Sequence, residues 1–320
     1  MNDETLSIVV LTYKHGKYLY ETLDSALSQD YPQIQLIVAE DGAKDFDANA
    51  VRAYVISHAK SNLIDCKILH PNTNSGTVKN LNKGLKEVQG GYIKIIAGDD
   101  TFASTNVASN QIAYLKANPD KLLVVGSIVE CDANMVPIVN NDRGSEIIEK
   151  VMNSGRNQML RYFCRRNSSF IATQAICFRK EFFIKYGTYD ERFKLIEDLP
   201  MAVRIISEDI PFGHQNSPCV NHRGIVGVST SSNPFEASKV SYYQDLLSYY
   251  DLILEPVKNV VGKTFVNMRR ALIAFRIEYS QIKQENGLGI NRAGLIVKNI
   301  APISYYAFSK FGRFLNYIKH

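Results

Sequence analysis

Two acidic pairs, Glu40-Asp41 and Asp99-Asp100, stand where they could hold a cation and a nucleotide. Asp41 closes the run Ile34-Gln-Leu-Ile-Val-Ala-Glu-Asp-Gly42, and Asp100 closes Tyr92-Ile-Lys-Ile-Ile-Ala-Gly-Asp-Asp100. Each run reads as a strand, and carboxylates at the carboxyl ends of neighbouring strands in an α/β sheet face the crevice where ligands bind. A single pair of this kind could be local structure: Asp99-Asp100 could cap a helix starting near Ser104 or make an Asx-turn. Two pairs after two matching strands favour the ligand reading. Carboxylates and phosphate oxygens together hold a hard divalent cation, and magnesium needs only one or two carboxylates when phosphates complete its shell.

The elements that must position these groups follow from periodicity. Residues 6 to 12 are continuously apolar, as a strand buried on both faces should be. Residues 17 to 29 follow a helical period that Tyr31-Pro32 stops. Strand 34 to 39, helix 47 to 60, strand 65 to 69, helix 77 to 88 ended by Gly90-Gly91, and strand 92 to 97 come next. These alternations predict a Rossmann-like, mostly parallel sheet. The first loop is Tyr13-Lys-His-Gly16 rather than GxGxxG, which argues against a dinucleotide reader. Further on, the pattern predicts helix 104 to 117, strand 121 to 129, a polar loop over 131 to 153, strand 170 to 178 and helix 180 to 186. Helix 199 to 207 and a strand or loop over 211 to 222 follow. Beyond Pro234 the pattern is helical, with breaks at Pro256, Gly287-Leu-Gly289 and Pro302.

Composition excludes several classes. Apolar content of 45% with 22% charged residues is that of a globular chain, not a disordered one. The start, Met1-Asn-Asp-Glu-Thr5, carries no basic and apolar leader pattern, and no apolar run is long enough to span a membrane. The five scattered cysteines read as free thiols of a reducing cytoplasm, and the six histidines form no zinc-type cluster. The net charge of +5 is uneven. Residues 258 to 320 hold eleven Lys/Arg against two acids, leaving 26 basic and 30 acidic residues before them. A basic tail suits an anionic surface. No nucleic-acid-binding motif accompanies it, so a nucleic-acid partner is not expected.

The chain resembles the family 2 glycosyltransferases of the GT-A fold. Four segments carry the resemblance, in the family's order over roughly residues 6 to 230. They are Ser7-Ile-Val-Val-Leu-Thr-Tyr13; Leu27-Ser-Gln-Asp-Tyr-Pro32 leading to Ile37-Val-Ala-Glu-Asp-Gly42; Asn74-Ser-Gly76 through Lys79-Asn80 to Gly98-Asp-Asp100; and Tyr189-Asp190 with Glu197-Asp198. The resemblance implies a GT-A domain over 1 to 234, with a nucleotide-sugar half (1 to 101) and an acceptor half (102 to 234). A basic helical extension follows over 235 to 320. It further implies a nucleotide-sugar donor, UDP-sugar favoured, and Mg or Mn. Tyr13, following Thr12, would stack on the base, and Asp41 would accept from its ring N–H, with Glu40 replacing the family's commoner Asp. Lys79 and Asn80 would lie near the nucleotide. Asp99 and Asp100 match the DXD-type motif: Asp100 would bind the metal, and Asp99 the metal or the ribose. Asp198 matches the catalytic base, with Glu197 beside it.

Such a base would take the acceptor hydroxyl's proton while a diphosphate leaves from the opposite face, which inverts the anomeric centre. Asp198 also precedes Leu199-Pro200 and could be a helix N-cap; a cap at a cleft edge still presents one oxygen. His222 and Arg223 open a Gly/Ser-rich stretch that reads either as a solvated loop or as a lid meeting phosphate. Phe308, Phe311, Leu315 and Ile318 recur at helical spacing across from Lys310 and Arg313. That stripe suits an anionic membrane surface or packing on the chain's own domain or another subunit. The expected acceptor is a glycan or lipid-linked glycan, and the expected place of work is the cytoplasm or the inner membrane face. A non-catalytic nucleotide- or glycan-binding module of the same fold is the rival reading.

Overall fold

The computed structural model describes residues 4–14, 16–138, 150–166, 171–224, 237–284, 289–305 and 307. The Ser-rich stretch after Gly224, the Asn167-Ser-Ser169 sequon, most of the polar loop near 140 and the Phe308–Ile318 stripe lie outside them.

In the first half, β1 (Leu6–Thr12), α1 (Gly16–Leu27), β2 (Ile34–Glu40), α2 (Ala48–His58), β3 (Leu63–Leu69), α3 (Thr77–Lys86) and β4 (Tyr92–Ala97) alternate as their periodicity predicts. The second half holds β5 (Thr101–Phe102), α4 (Val107–Ala117), β6 (Leu123–Cys131), α5 (Arg156–Arg166), β7 (Ile176–Arg179), α6 (Lys180–Tyr186), α7 (Asp198–Ser207) and β8 (Phe212–Arg223). The strand expected over 170 to 178 is confined to β7. A single 3₁₀ turn, Thr173–Ala175, takes its amino-terminal part. The segment expected as strand or loop over 211 to 222 is the long strand β8.

Eight strands form one sheet in the order β3-β2-β1-β4-β7-β6-β8-β5. β3, β2, β1 and β4 are mutually parallel, β7 runs antiparallel to both β4 and β6, and β6 and β8 are parallel. The sheet is therefore mixed, with β7 and the edge strand β5 running against the rest. Register decides where the chemistry lies. Thr12 pairs Glu40 and Leu11 pairs Ala97, so β1, β2 and β4 stop at one level. The Asp41 amide then donates to Thr12 O at 3.1 Å and the Gly98 amide to Leu11 O at 2.7 Å. Both acidic pairs thus leave the sheet at the same edge, one on each side of Thr12-Tyr13.

β8 must travel farther than β6 to reach that edge. Its register slips near Pro218, opposite Ser127, where proline has no amide to give the ladder. Beyond the slip, Asn221 pairs Thr101 of the two-residue strand β5, which follows Asp100 directly. This antiparallel pairing carries His222 alongside Asp100.

After β8 come α8 (Ala237–Ser248), a π-helical turn (Tyr249–Leu254), α9 (Lys258–Val261), α10 (Lys263–Gln284) and α11 (Gly289–Lys298). Tyr243, Leu246, Tyr249, Tyr250, Leu254, Val261 and Val266 are buried in the same apolar cluster as Ile196, Met201 and Ile205. The core therefore continues past residue 234. No helix among the described residues is long and apolar enough to cross a membrane, and all five cysteines are free.

Candidate functional site

The Glu40-Asp41 pair shapes a loop from buried carboxylates. Glu40 is wholly enclosed; its oxygens accept from the amides of Gly42 (2.6 Å) and Ala43 (2.9 Å), with His70 Nε2 at 3.5 Å. Gly42 needs its glycine: φ is +82° and a Cβ would sit 2.6 Å from the Thr73 carbonyl carbon. Asp41 reaches across to the 70–76 loop. Its Oδ1 accepts from the Ser75 amide (2.8 Å) and hydroxyl (2.7 Å), and Oδ2 from the Gly76 amide (2.8 Å). A carboxylate has about four acceptor positions. Among the described residues, Oδ2 therefore keeps one for a further donor. Tyr13 stands beside this loop, 38% exposed, with Lys14 Nζ 5.2 Å from its ring centroid.

Lys79 is exposed on the first turn of α3, whereas Asn80 is buried and donates to Ala39 O at 2.7 Å. Asn80 thus ties α3 to β2, and its Oδ1 finds no partner among the described residues. Two neighbours escaped the sequence reading. Lys83, one turn after Lys79, donates to Ser75 Oγ at 3.0 Å and so brings a cation to the Asp41 loop. Asn82 clamps the next segment, giving Nδ2–H to Tyr189 O (2.9 Å) and taking the Tyr189 amide on Oδ1 (3.1 Å). The spacing of Lys79 and Lys83 was a readable sign; the Asn82 partner, over a hundred residues away, was not.

Asp99-Asp100 meets His222-Arg223 at the other side of Thr12. Asp100 accepts from the Arg223 amide (3.0 Å) and lies 3.0 Å from His222 Nδ1. Burial lowers the His222 pKa, but the hydrogen bond to Asp100 and the charges of Asp100, Glu130 and Asp99 together carry it above its ordinary value. Arg223 is 2% exposed. Its guanidinium donates to Asp99 O (2.9 Å), Ala133 O and Glu21 (2.5 Å), and stacks 4.1 Å from the Tyr18 ring centroid. It braces β8, the turn after β6 and α1, with three of its N–H groups on protein acceptors.

Glu197 and Asp198 begin α7, where the helix dipole favours negative charge. The N-cap position falls to Glu197, without a side-chain cap bond; Asp198, which the sequence offered as the cap, is the first helical residue, and its Oδ1 takes the Leu199 amide at 2.8 Å. Burial outweighs these effects and raises both carboxyls, with Asp198's charge adding to the rise at Glu197. The loop before them touches the donor side directly. Gly76, at φ +90°, would place a Cβ 2.7 Å from Lys194 O, and the Val78 amide donates to that same oxygen at 3.2 Å. One edge of the sheet therefore gathers Asp41, Tyr13, Asp100 and His222, and the Glu197-Asp198 loop abuts it through Gly76.

The comparisons agree with this architecture. The family described as glycosyl transferase family 2 matches residues 7–187, more than half of the chain. The chain belongs to that family. Among curated relatives, glycosyltransferase GlyG of Streptococcus pneumoniae is 31% identical over 97 residues, 30% of this chain and 31% of the relative. The Escherichia coli UDP-Glc:alpha-D-GlcNAc-diphosphoundecaprenol beta-1,3-glucosyltransferase WfaP is 31% identical over 113 residues, 35% of this chain and 42% of the relative. The matched stretch spans 18% to 55% of the length of the first three such relatives. Among solved structures, a Pyrobaculum calidifontis mannosyltransferase in complex with GDP-Man and Mn2+ superimposes with a TM-score of 0.58 at 15% identity, over 96% of this chain and 82% of that one. S. aureus TarS 1-349 in complex with UDP gives 0.55 at 14%, over 86% and 80%. These likenesses establish the fold, GT-A, with a helical C-terminal region.

Proposed function

We propose that this chain transfers a sugar from a nucleoside diphosphate donor, UDP-sugar favoured, to a hydroxyl of a glycan or lipid-linked glycan. The observation that supports it most is the shared sheet edge, where Asp41 and the Asp100–His222 pair flank Tyr13 and the Glu197-Asp198 loop adjoins. Tyr13 offers the base an exposed ring, and Asp41 Oδ2 has one acceptor position for its ring N–H. Lys83 and the exposed Lys79 bring positive charge to the nucleotide side. The solved neighbours crystallised with UDP, UDP-GlcNAc or GDP-Man lend the donor class support.

A divalent cation, Mg or Mn, suits the residues present. Asp100 and Asp99 would supply oxygen, and no cluster of three or more His, Cys, Asp or Glu that could hold a metal stands among the described residues. That sparse set fits a cation whose shell is completed by phosphate oxygens and water. When bound, it neutralises charge on the departing diphosphate. Asp198, with Glu197 as the second candidate, takes the acceptor proton on the face opposite the diphosphate, so the anomeric configuration inverts. Their burial raises their proton affinity toward that of a useful base at neutral pH. The relatives named for a lipid-linked glucosyl transfer and for poly-beta-1,6-N-acetyl-D-glucosamine synthesis support a role in surface glycan assembly. Work in the cytoplasm or at the inner membrane face belongs to the same reading.

The test is a thermal-shift screen against nucleoside diphosphates, each with Mn and with chelator. A shift with UDP that needs Mn and disappears in Asp100→Ala supports the donor site. Turnover lost by about 10²–10⁴-fold in Asp198→Asn, with UDP binding kept, supports the base. Metal-dependent UDP binding without turnover of any nucleotide sugar in the wild type would favour the non-catalytic module instead.

A further inference from the structure

The loop that leads into Glu197-Asp198 is held by a helix further along the chain. Asp245 lies on α8 and is buried. Its Oδ2 accepts three consecutive backbone amides, those of Lys194 (2.8 Å), Leu195 (2.5 Å) and Ile196 (3.1 Å). Three successive N–H groups aimed at one oxygen form an anion nest, which fixes the dihedrals of the segment that makes it. Glu197 is the next residue. Hydrogen bonds to a charged acceptor are about twice as strong as neutral ones, so this is a firm restraint rather than an incidental contact.

The same peptide is gripped from the other side. Lys194 O takes the Val78 amide at the start of α3, and Gly76, whose amide binds Asp41, packs against Lys194. The segment 194–196 therefore spans from the donor loop to α8. Neighbouring residues of α8 reach the loop's far end as well. Tyr242 is pushed up to about 12, by burial first and then by the charge of Asp198.

We infer that Asp245 is a positioning residue for Glu197-Asp198, and that the catalytic unit of this chain includes α8 rather than ending before it. The inference rests on the reading that the Glu197-Asp198 pair performs the proton transfer. The functional unit then runs past residue 187, where the family match stops short of Glu197-Asp198 itself, and past residue 234, where the sequence places a boundary. Asp245 touches no substrate in this account. It sets where the base stands, and a base displaced by about 1 Å loses turnover without losing its donor.

The experiment uses the full chain with Asp245→Ala, Asp245→Asn and, in parallel, Asp198→Ala. Hydrogen exchange of peptides covering 190–199 is measured without ligand. UDP affinity is measured in Mn, and kcat by release of UDP from UDP-glucose or UDP-N-acetylglucosamine. Asp245→Ala should speed exchange of the three amides at least tenfold and lower kcat at least tenfold, with UDP affinity within threefold of wild type. Asp245→Asn, whose amide oxygen still accepts, should fall between. Unchanged exchange in a folded variant overturns the restraint, and so does a kcat loss matched by an equal loss of UDP affinity. If the alanine variant does not fold, the asparagine variant decides by the same two readings. Full activity in Asp198→Ala would instead remove the base assignment, while the exchange result would still report on the nest.

Discussion

Replacing Arg223 separates the phosphate ligand that the sequence allowed from the internal brace that the structure shows. In the structure the guanidinium serves two backbone carbonyls, those of Asp99 and Ala133, the half-exposed carboxylate of Glu21, and the face of Tyr18. In Arg223→Ala, each carbonyl loses a bond from a charged donor, a loss of about 1.5–3 kcal/mol apiece. The Glu21 pair, with one member in water, adds at most about 1 kcal/mol. The stacking on Tyr18 adds about 0.5–2 kcal/mol. Water entering the vacated volume returns part of this. The expected net loss is about 3–6 kcal/mol, a large share of the 5–15 kcal/mol typical of a whole domain. Arg223→Lys keeps the charge but cannot point three ways, and should lose about half as much. The chain has 18 tyrosines and no tryptophan, so urea unfolding is best followed by circular dichroism. Because Arg223 holds the backbone of Asp99, affinity for UDP with Mn should fall alongside stability. An unchanged urea midpoint with a tenfold loss of UDP affinity would refute the brace and make Arg223 a phosphate ligand.

Other outcomes follow from the same contacts. Gly76→Ala should destabilise the chain by more than about 2 kcal/mol and abolish UDP binding, since its backbone is left-handed and its Cβ would meet Lys194; urea unfolding and thermal shift check both. The raised Glu197-Asp198 pair predicts opposite pH trends. Its contribution to stability is full below the ordinary carboxylate range near 4 and is lost as pH rises through the raised folded value. kcat should rise over that same interval as the base sheds its proton. Glu197→Gln should flatten the stability trend, read as urea midpoint against pH. Lys83→Ala should weaken UDP binding more than Lys79→Ala does, because Lys83 stands at Ser75 beside Asp41 while Lys79 is exposed; titration calorimetry with UDP and Mn ranks them.

Strands β1, β2 and β4 were legible because burial on both faces writes itself as largely apolar runs. Their common ending was legible too, since both acidic pairs close runs of matching length. What the residues could not reveal were groups that meet only through the sheet's reversal. His222 reaches Asp100 because β5 pairs β8, and a two-residue strand leaves no periodicity to read. Arg223, in a stretch that looks solvated, is among the most enclosed side chains in the molecule. Asp245 sits on a helix of ordinary polarity, and its partners are backbone amides, which carry no side-chain signature. Lys94 is the clearest local conflict. It interrupts an apolar strand, yet it is buried, with its ammonium on Gln111 Oε1 at 2.7 Å.

The central strand β4 bears on how the chain is made. Its outer edge is satisfied by β7, whose residues are synthesised more than eighty positions after Tyr92-Ile93-Lys94. At about 5–20 residues per second, that edge waits roughly 4–16 s on the ribosome with its backbone groups unpaired. The first hundred residues, although they fold from consecutive elements, would leave synthesis with an open apolar strand if they were released alone. Expressed as residues 1–102, the segment should therefore associate with itself or with chaperones, and added peptide cannot readily cure this because β7 also needs β6 behind it. The order of strands thus commits the ribosome to finishing β6 and β7 before the strands ahead of them are safe in solution.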